Sequence, residues 1–213
     1  MDGATLQQRI YAGYARGAAK IGLPYQLFRA SSALNPMAGA PRATLQAAFS
    51  AADYRFAKPL GYGQATWWGL LDGTQTQIGD VLVGTKTFFI AAQQALAPIL
   101  VVEAPRLVDL RRPFRETGVG YQTAYGGTTP AQESMIAQQW PASILAGARG
   151  GPASADLPDD VHDPGWEILM PAPPGVTIRT SDILQDELGR RFDIASAEVT
   201  PLGWRLTAIE AQV

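Results

Sequence analysis

The side chains able to do chemistry are few. The chain of 213 residues holds one histidine and no cysteine, which removes disulfides, thiolate nucleophiles and zinc sites built on cysteine. His162 stands in the only cluster of hard ligands, with Asp159, Asp160 and Asp163. Carboxylates on a loop can hold Ca²⁺, which takes about six to eight oxygens, or act as a pair in glycoside hydrolysis. This cluster lacks the spacing and the glycine of a calcium loop. It reads first as a surface acidic loop, with a metal site and a carboxylate hydrolase using Asp160 as the alternatives. The patterns GxxxxGK[ST], HExxH, GxSxG and CxxC are all absent. The glycine-rich run GVGYQTAYGG (118–127) has no lysine where a phosphate loop needs one. It reads instead as a mobile loop or one ordered by a partner, with Tyr121 and Tyr125 as candidate contacts.

Two further groups can bind. Trp67, Trp68, Trp140, Trp166 and Trp204 offer flat aromatic surface for a sugar or a base. Two of them fall at matching places in a repeat, which favours core packing, with a subunit interface and a ligand platform as the other readings. Arg111, Arg112 and Arg115 form a short basic run, read as a solvated face or as a contact with a subunit or DNA.

Composition narrows the class. Charged residues make up 17% of the chain, against roughly 25% in a typical domain. The net charge of −2 gives no basic footprint for duplex nucleic acid or an anionic membrane. With 22 glycines and 16 prolines, turns and extended segments are expected, hence β structure or long ordered loops. So little charge implies a surface covered by something else, and copies of the same chain are the first candidate. No apolar run reaches the roughly 18 residues of a membrane span. Arg9, Arg16 and Lys20 interrupt the N-terminal segment, so it is expected to be neither signal peptide nor anchor.

These groups must be positioned by few regular elements. Residues 4–21 form the one good helix candidate. Thr5 and Gln8 have capping-box spacing, and Leu6, Ile10, Gly13, Tyr14, Gly17 and Ile21 lie near one face. That face packs on its own domain or, through its small residues, on a neighbouring subunit; Leu6, Ile10 and Tyr14 are its candidate contacts. Residues 1–65 are read as this helix plus an extended arm with one or two short strands. Residues 66–114 make a first β unit, with strands at Trp67–Leu71, Asp80–Val83, Thr87–Ala92, Ile99–Glu103 and Arg106–Leu110. Residues 115–165 form a long Gly/Pro-rich loop with a helical turn within Met135–Leu145. Residues 166–213 make a second β unit, with strands at Trp166–Met170, Ile183–Leu184, Phe192–Ala197 and Trp204–Ile209.

The two β units repeat each other. Trp68 matches Trp166, and Leu71 matches Leu169. Asp80-Val81-Leu82 matches Asp182-Ile183-Leu184, and Phe89-Ile90-Ala91, or its neighbouring register, matches Phe192 to Ala195. Pro98 matches Pro201, and Glu103-Ala104 matches Glu210-Ala211. In each, an aspartate opens an apolar strand, a polar turn reverses it, and an aromatic-led strand follows. Such a meander buries one face only, so the units must pack together or close. The expected fold is mainly β: a small antiparallel barrel or sandwich from two related units, with an N-terminal helix and long loops.

The phrase IGDVLVGTKTFFIAAQQALAPILVVEA, and DILQDELGRRFDIASAEVTPLGWRL after it, resemble a segment of tailed-bacteriophage neck proteins: Gly-Asp, an apolar pair, a turn, an aromatic strand. The wider order of NPM, KPLGYGQATWWGLLDGTQTQIGDVLVG, PASIL and LGWRLTA looks like structural proteins of phage morphogenesis. The resemblance implies a head–tail connector or head-closure protein of the stopper type. It would be a β-barrel without catalytic residues or cofactor, assembled in the host cytoplasm as a ring of six or twelve copies. Its partners would be the portal or adaptor and the tail proteins, with non-specific contact to packaged DNA and none to a membrane. The simplest stopper proteins hold one barrel, whereas this chain carries two units. A phage tail or baseplate module that binds a host glycan through its tryptophans is the alternative.

Overall fold

A computed structural model of the chain describes residues 2–51, 63–113, 133–146 and 165–211. One helix, α1 (Gly3–Ile21), precedes twelve strands in that span. The first six are β1 (Leu23–Phe28), β2 (Ala43–Ala51), β3 (Thr66–Leu70), β4 (Val81–Val83), β5 (Thr87–Ala92) and β6 (Ile99–Glu103). The second six are β7 (Arg106–Pro113), β8 (Glu133–Ala146), β9 (Gly165–Met170), β10 (Ile183–Asp186), β11 (Arg191–Thr200) and β12 (Gly203–Glu210). All pairing between these strands is antiparallel.

The chain is mainly β, and each unit closes a barrel of its own. Neighbours run β1-β2-β3-β6-β5-β4 in the first and β7-β8-β9-β12-β11-β10 in the second. The two circuits are the same when each strand is advanced by six, so the repeat comprises six strands rather than the meander visible in the sequence. Closure satisfies every edge that an open meander would expose. Only Ala104 and Pro105 separate the barrels.

The strand pairing divides the chain differently from the sequence reading. The extended arm supplies β1 and β2 of the first barrel. Residues 106–113 open the second barrel rather than close the first unit. Met135–Leu145 holds no helical turn: it lies in β8, paired with β7 and β9. Pro141 explains this, because it biases Trp140 to extended backbone and removes the N–H a helix needs. The tryptophan match also shifts by one. Trp67 pairs with Val101, and Trp166 with Ala208, at the equivalent step of each barrel. Trp67 thus matches Trp166, and Leu70 matches Leu169. A one-residue slip matters in a strand because it exchanges inside for outside. Pro98 and Pro201 do fall in equivalent turns, between β5 and β6 and between β11 and β12. Phe88 matches Phe192, and both fifth strands carry a bulge at the same place, between Ile90 and Ala92 and between Ile194 and Ser196.

Side-chain alternation builds three cores. Tyr25, Leu27, Leu45, Leu71, Leu82, Phe88, Ile90, Ile99 and Val101 fill the first barrel. Val108, Leu110, Trp140, Ile168, Met170, Leu184, Phe192, Ile194, Trp204 and Leu206 fill the second. The third core lies between them: Phe28, Val81, Phe89, Ala91 and Val102 point out of the first barrel and meet Leu145 and Leu169 of the second. Strands β4 to β6 are therefore buried on both faces, which is why they read as unbroken apolar runs. Strand β12 has one wet face and alternates instead: Trp204, Leu206 and Ala208 are buried between exposed Arg205, Thr207 and Ile209. The barrels are further tied by the segment after β1. Trp140 Nε1 donates to the Ala33 carbonyl at 2.6 Å, and the Asn35 and Gln138 amides donate to the Gln138 and Ala33 carbonyls.

Helix α1 lies against β2 and β3 of the first barrel. Its cap is Asp2, whose carboxylate accepts from the Thr5 amide at 2.7 Å, rather than a box built on Thr5. The side chains it turns inward are Gln7, Tyr11 and Ala18: Gln7 Oε1 accepts from the Leu96 amide, the Tyr11 ring lies over Gly73, and Ala18 is fully buried. Of the expected face, Ile10, Tyr14 and Gly17 are half-buried beside this stripe, and Leu6, Gly13 and Ile21 are exposed. Leu6 is 39% exposed and Ile21 71%.

Candidate interaction surface

The buried charges come first, since an unpaired one would be costly. Asp80 and Asp182, which open the fourth strand of each barrel, have side chains only 1% and 3% exposed. Each is clamped by an arginine from the end of the first strand. Arg29 donates Nε to Asp80 Oδ1 and Nη2 to Oδ2, both at 2.7 Å. Arg112 does the same to Asp182, both at 2.8 Å. Each arginine also reaches the carbonyl five residues before its aspartate, Gln75 or Thr177. Each aspartate accepts the amide three residues before it, Gln77 or Arg179. The residues preceding the aspartates, Gly79 and Ser181, both have positive φ, +88° and +68°. That turn aims their amides at the Ile90 and Ile194 carbonyls. Hydrogen bonding to the aspartate, opposed by desolvation, raises both guanidiniums above the ordinary arginine value. The clamps fasten the barrels and leave these carboxylates saturated.

The barrel ends differ. In the second, the turn between β10 and β11 is longer, and Asp186 anchors Arg190 at 2.8 Å. The Arg190 guanidinium lies 5.3 Å from the Trp166 ring and 5.2 Å from the Phe192 ring, covering both. In the first, the equivalent residue is Lys86. It stands 5.1 Å over Trp67 and pairs with Glu103 at 2.9 Å. A cavity of about 260 Å³ stays open beside it, lined by Tyr25, Phe49, Trp67 and Phe88 and rimmed by Ile21 and Leu23. Phe49 and Phe88 stack at 4.0 Å. This mouth offers aromatic surface with one cation at its edge, a setting that seats an apolar side chain or ring.

The residues expected to make contacts do not converge. Leu6 is exposed, whereas Ile10 and Tyr14 are half-buried on the same side of α1 as Gln7, Tyr11 and Ala18. Arg112 serves the Asp182 clamp and is not free for a partner. Arg111 is half-buried on β7, its Nε unpartnered among the described residues. Arg115, Tyr121 and Tyr125 lie outside the described residues, as does the acidic cluster Asp159, Asp160, His162 and Asp163. Trp140 and Trp204 are core residues, at 1% and 6% exposure. The sequence reading missed the Arg29 and Arg112 clamps. Their signal was present: each follows the first apolar strand of its unit, and each unit opens its next matched strand with an aspartate.

No protein-family model, no curated protein and no solved structure matches the chain.

Proposed function

We propose that the chain is a structural virion protein of a tailed bacteriophage, a ring component of the neck that joins the portal to the tail. The observation that carries this reading is the closed barrel, built twice, on the phrase that resembles neck proteins: Gly79-Asp80-Val81-Leu82 leading to Phe88-Phe89-Ile90. Two features support it. Buried Asp80, Asp182 and Asp186 are each held by an arginine, so they serve architecture. Exposed Leu6, Ile21, Leu23 and Leu96 provide apolar surface of the kind obligate assemblies bury. In this role the barrels form the ring wall, and the outer face of α1 meets adjacent rings. Mass measurement of the purified chain and of purified particles tests it. A six- or twelve-fold ring, free or once docked on the portal, is expected; a permanent monomer absent from particles would sink the reading.

The open mouth with Trp67 favours one second reading, a tail or baseplate module that binds a host glycan. Glycan-array binding lost on Trp67→Ala would support it over the first.

A further inference from the structure

The repeat shows what sits on the same wall of each barrel. On the second barrel, the outer wall of β8 and β9 presents Leu145 and Leu169, and the first barrel is seated there. On the first barrel the equivalent wall is β2 and β3, where Leu70 stands in the place of Leu169 and Ser50 in the place of Leu145. There the seat is taken by α1: Gly17 packs against Leu70, close enough that a Cβ on Gly17 would lie 3.0 Å from the Leu70 side chain.

The opposite wall tells the other half. Across β1, β4, β5 and β6 the first barrel presents one cross-strand row, Phe28–Val81–Phe89–Val102, all buried against the second barrel. The same row on the second barrel runs Arg111–Ile183–Asp193–Ile209 across β7, β10, β11 and β12. Both phenylalanines have become charged residues; Asp193 and Ile209 are exposed, Arg111 is half-buried and Ile183 is already buried in the free chain. Seating that row on the wall would bury Asp193 and the rest of Arg111, whose Nε is already out of water, at a desolvation cost.

We propose that the chain carries a latent head-to-tail interface for a second copy of itself, blocked at both ends. The seat is the β2–β3 wall of the first barrel, closed by α1. The incoming surface is the Arg111–Ile209 row of another copy's second barrel, disabled by Arg111 and Asp193. A contact of this kind does not close on itself and would extend copy after copy. The two blocks end the series at two barrels and leave any ring to form through other surfaces.

The test uses the full chain. Ala18→Glu drives α1 off the wall, and Gly73→Val does so independently, since a Cβ at Gly73 meets the Tyr11 ring at 2.6 Å. Each is combined with Arg111→Phe and Asp193→Phe, and masses are followed by sedimentation over a concentration series. Either block alone keeps the parent's mass. With both removed, assemblies growing in steps of the parent mass are expected, association strengthening at least about tenfold per restored phenylalanine. Adding Leu70→Glu returns the parent's mass. The proposal is overturned if the combined variants stay at the parent's mass, if only one of the two helix-lifting versions assembles, or if assembly survives Leu70→Glu. The parent's own mass and its presence in particles do not enter this comparison, so the neck reading stands or fails separately.

Discussion

Replacing Arg29 by methionine strips one buried carboxylate of its partner while keeping most of the side-chain bulk. Among the described residues Asp80 then retains only the Gln77 amide, at 2.9 Å, and its side chain has 1% of its surface in water. Removing one member of a buried pair costs about 3–5 kcal/mol, because the remaining charge is uncompensated. The retained amide bond and the partial exposure of Arg29, 24%, place the expected loss at the lower end, about 3 kcal/mol. For a chain of this size that lowers the melting temperature by about 6–12 °C. Arg112→Met should do the same in the second barrel to within about 1 kcal/mol, since the clamp there is the same set of contacts. Pairing Arg29→Met with Asp80→Leu should recover part of the loss, because no orphan charge remains. Thermal and urea unfolding of the three variants measure all of this. A loss under about 1 kcal/mol for either arginine, the worth of an exposed pair, would refute the claim that the clamps hold the barrels.

Phe89→Ala opens a void in the seam between the barrels, where Phe89 is 1% exposed; a loss of about 3–5 kcal/mol is expected, with calorimetry resolving two transitions in place of one. Gly203 turns at φ +118°, and a Cβ there would sit 2.6 Å from the Met170 carbonyl oxygen. Gly203→Ala should therefore lower the urea midpoint by the equivalent of about 1–3 kcal/mol, whereas Gly165→Ala, with open space around it, should not. Burial raises the Asp72 pKa, but hydrogen bonds from the Thr74 hydroxyl, the Gln75 amide and the Thr74 backbone outweigh it and leave the value lowered. A lowered folded pKa contributes stability above the unfolded value, near 3.8, and loses it as pH falls through the folded one. Asp72→Asn should flatten the fall in stability below about pH 4.

Much of the architecture was legible because it rests on local signals. The strands from Trp67 to Glu103 and from Trp166 to Ile209 stand near where apolar runs and turn residues put them, and the repeat was visible through Asp80/Asp182 and Glu103/Glu210. What escaped depends on contacts far along the chain. Strands β1 and β2 look like an arm because Pro24, Pro36 and Pro41 punctuate them, and only pairing with β4 and β3 makes them barrel staves. The Trp67-Trp68 pair offers two registers, and burial inside the barrel is what selects Trp67. The helix face was legible in part: Ile10, Tyr14 and Gly17 are half-buried, but apolar Leu6 and Ile21 are left exposed and the barrel wall takes Gln7, Tyr11 and Ala18 as well. The inter-barrel seam was invisible for a related reason: Phe28 and Phe89 read as ordinary core, and only the second barrel explains why both faces of β5 are dry.

The neck assignment is tested most directly by locating the protein in the particle. Antibody labelling of purified virions, counted by electron microscopy, should place it at the junction of head and tail in a fixed number of copies, six or twelve. Label at the tail tip, or particles without label, would contradict the account.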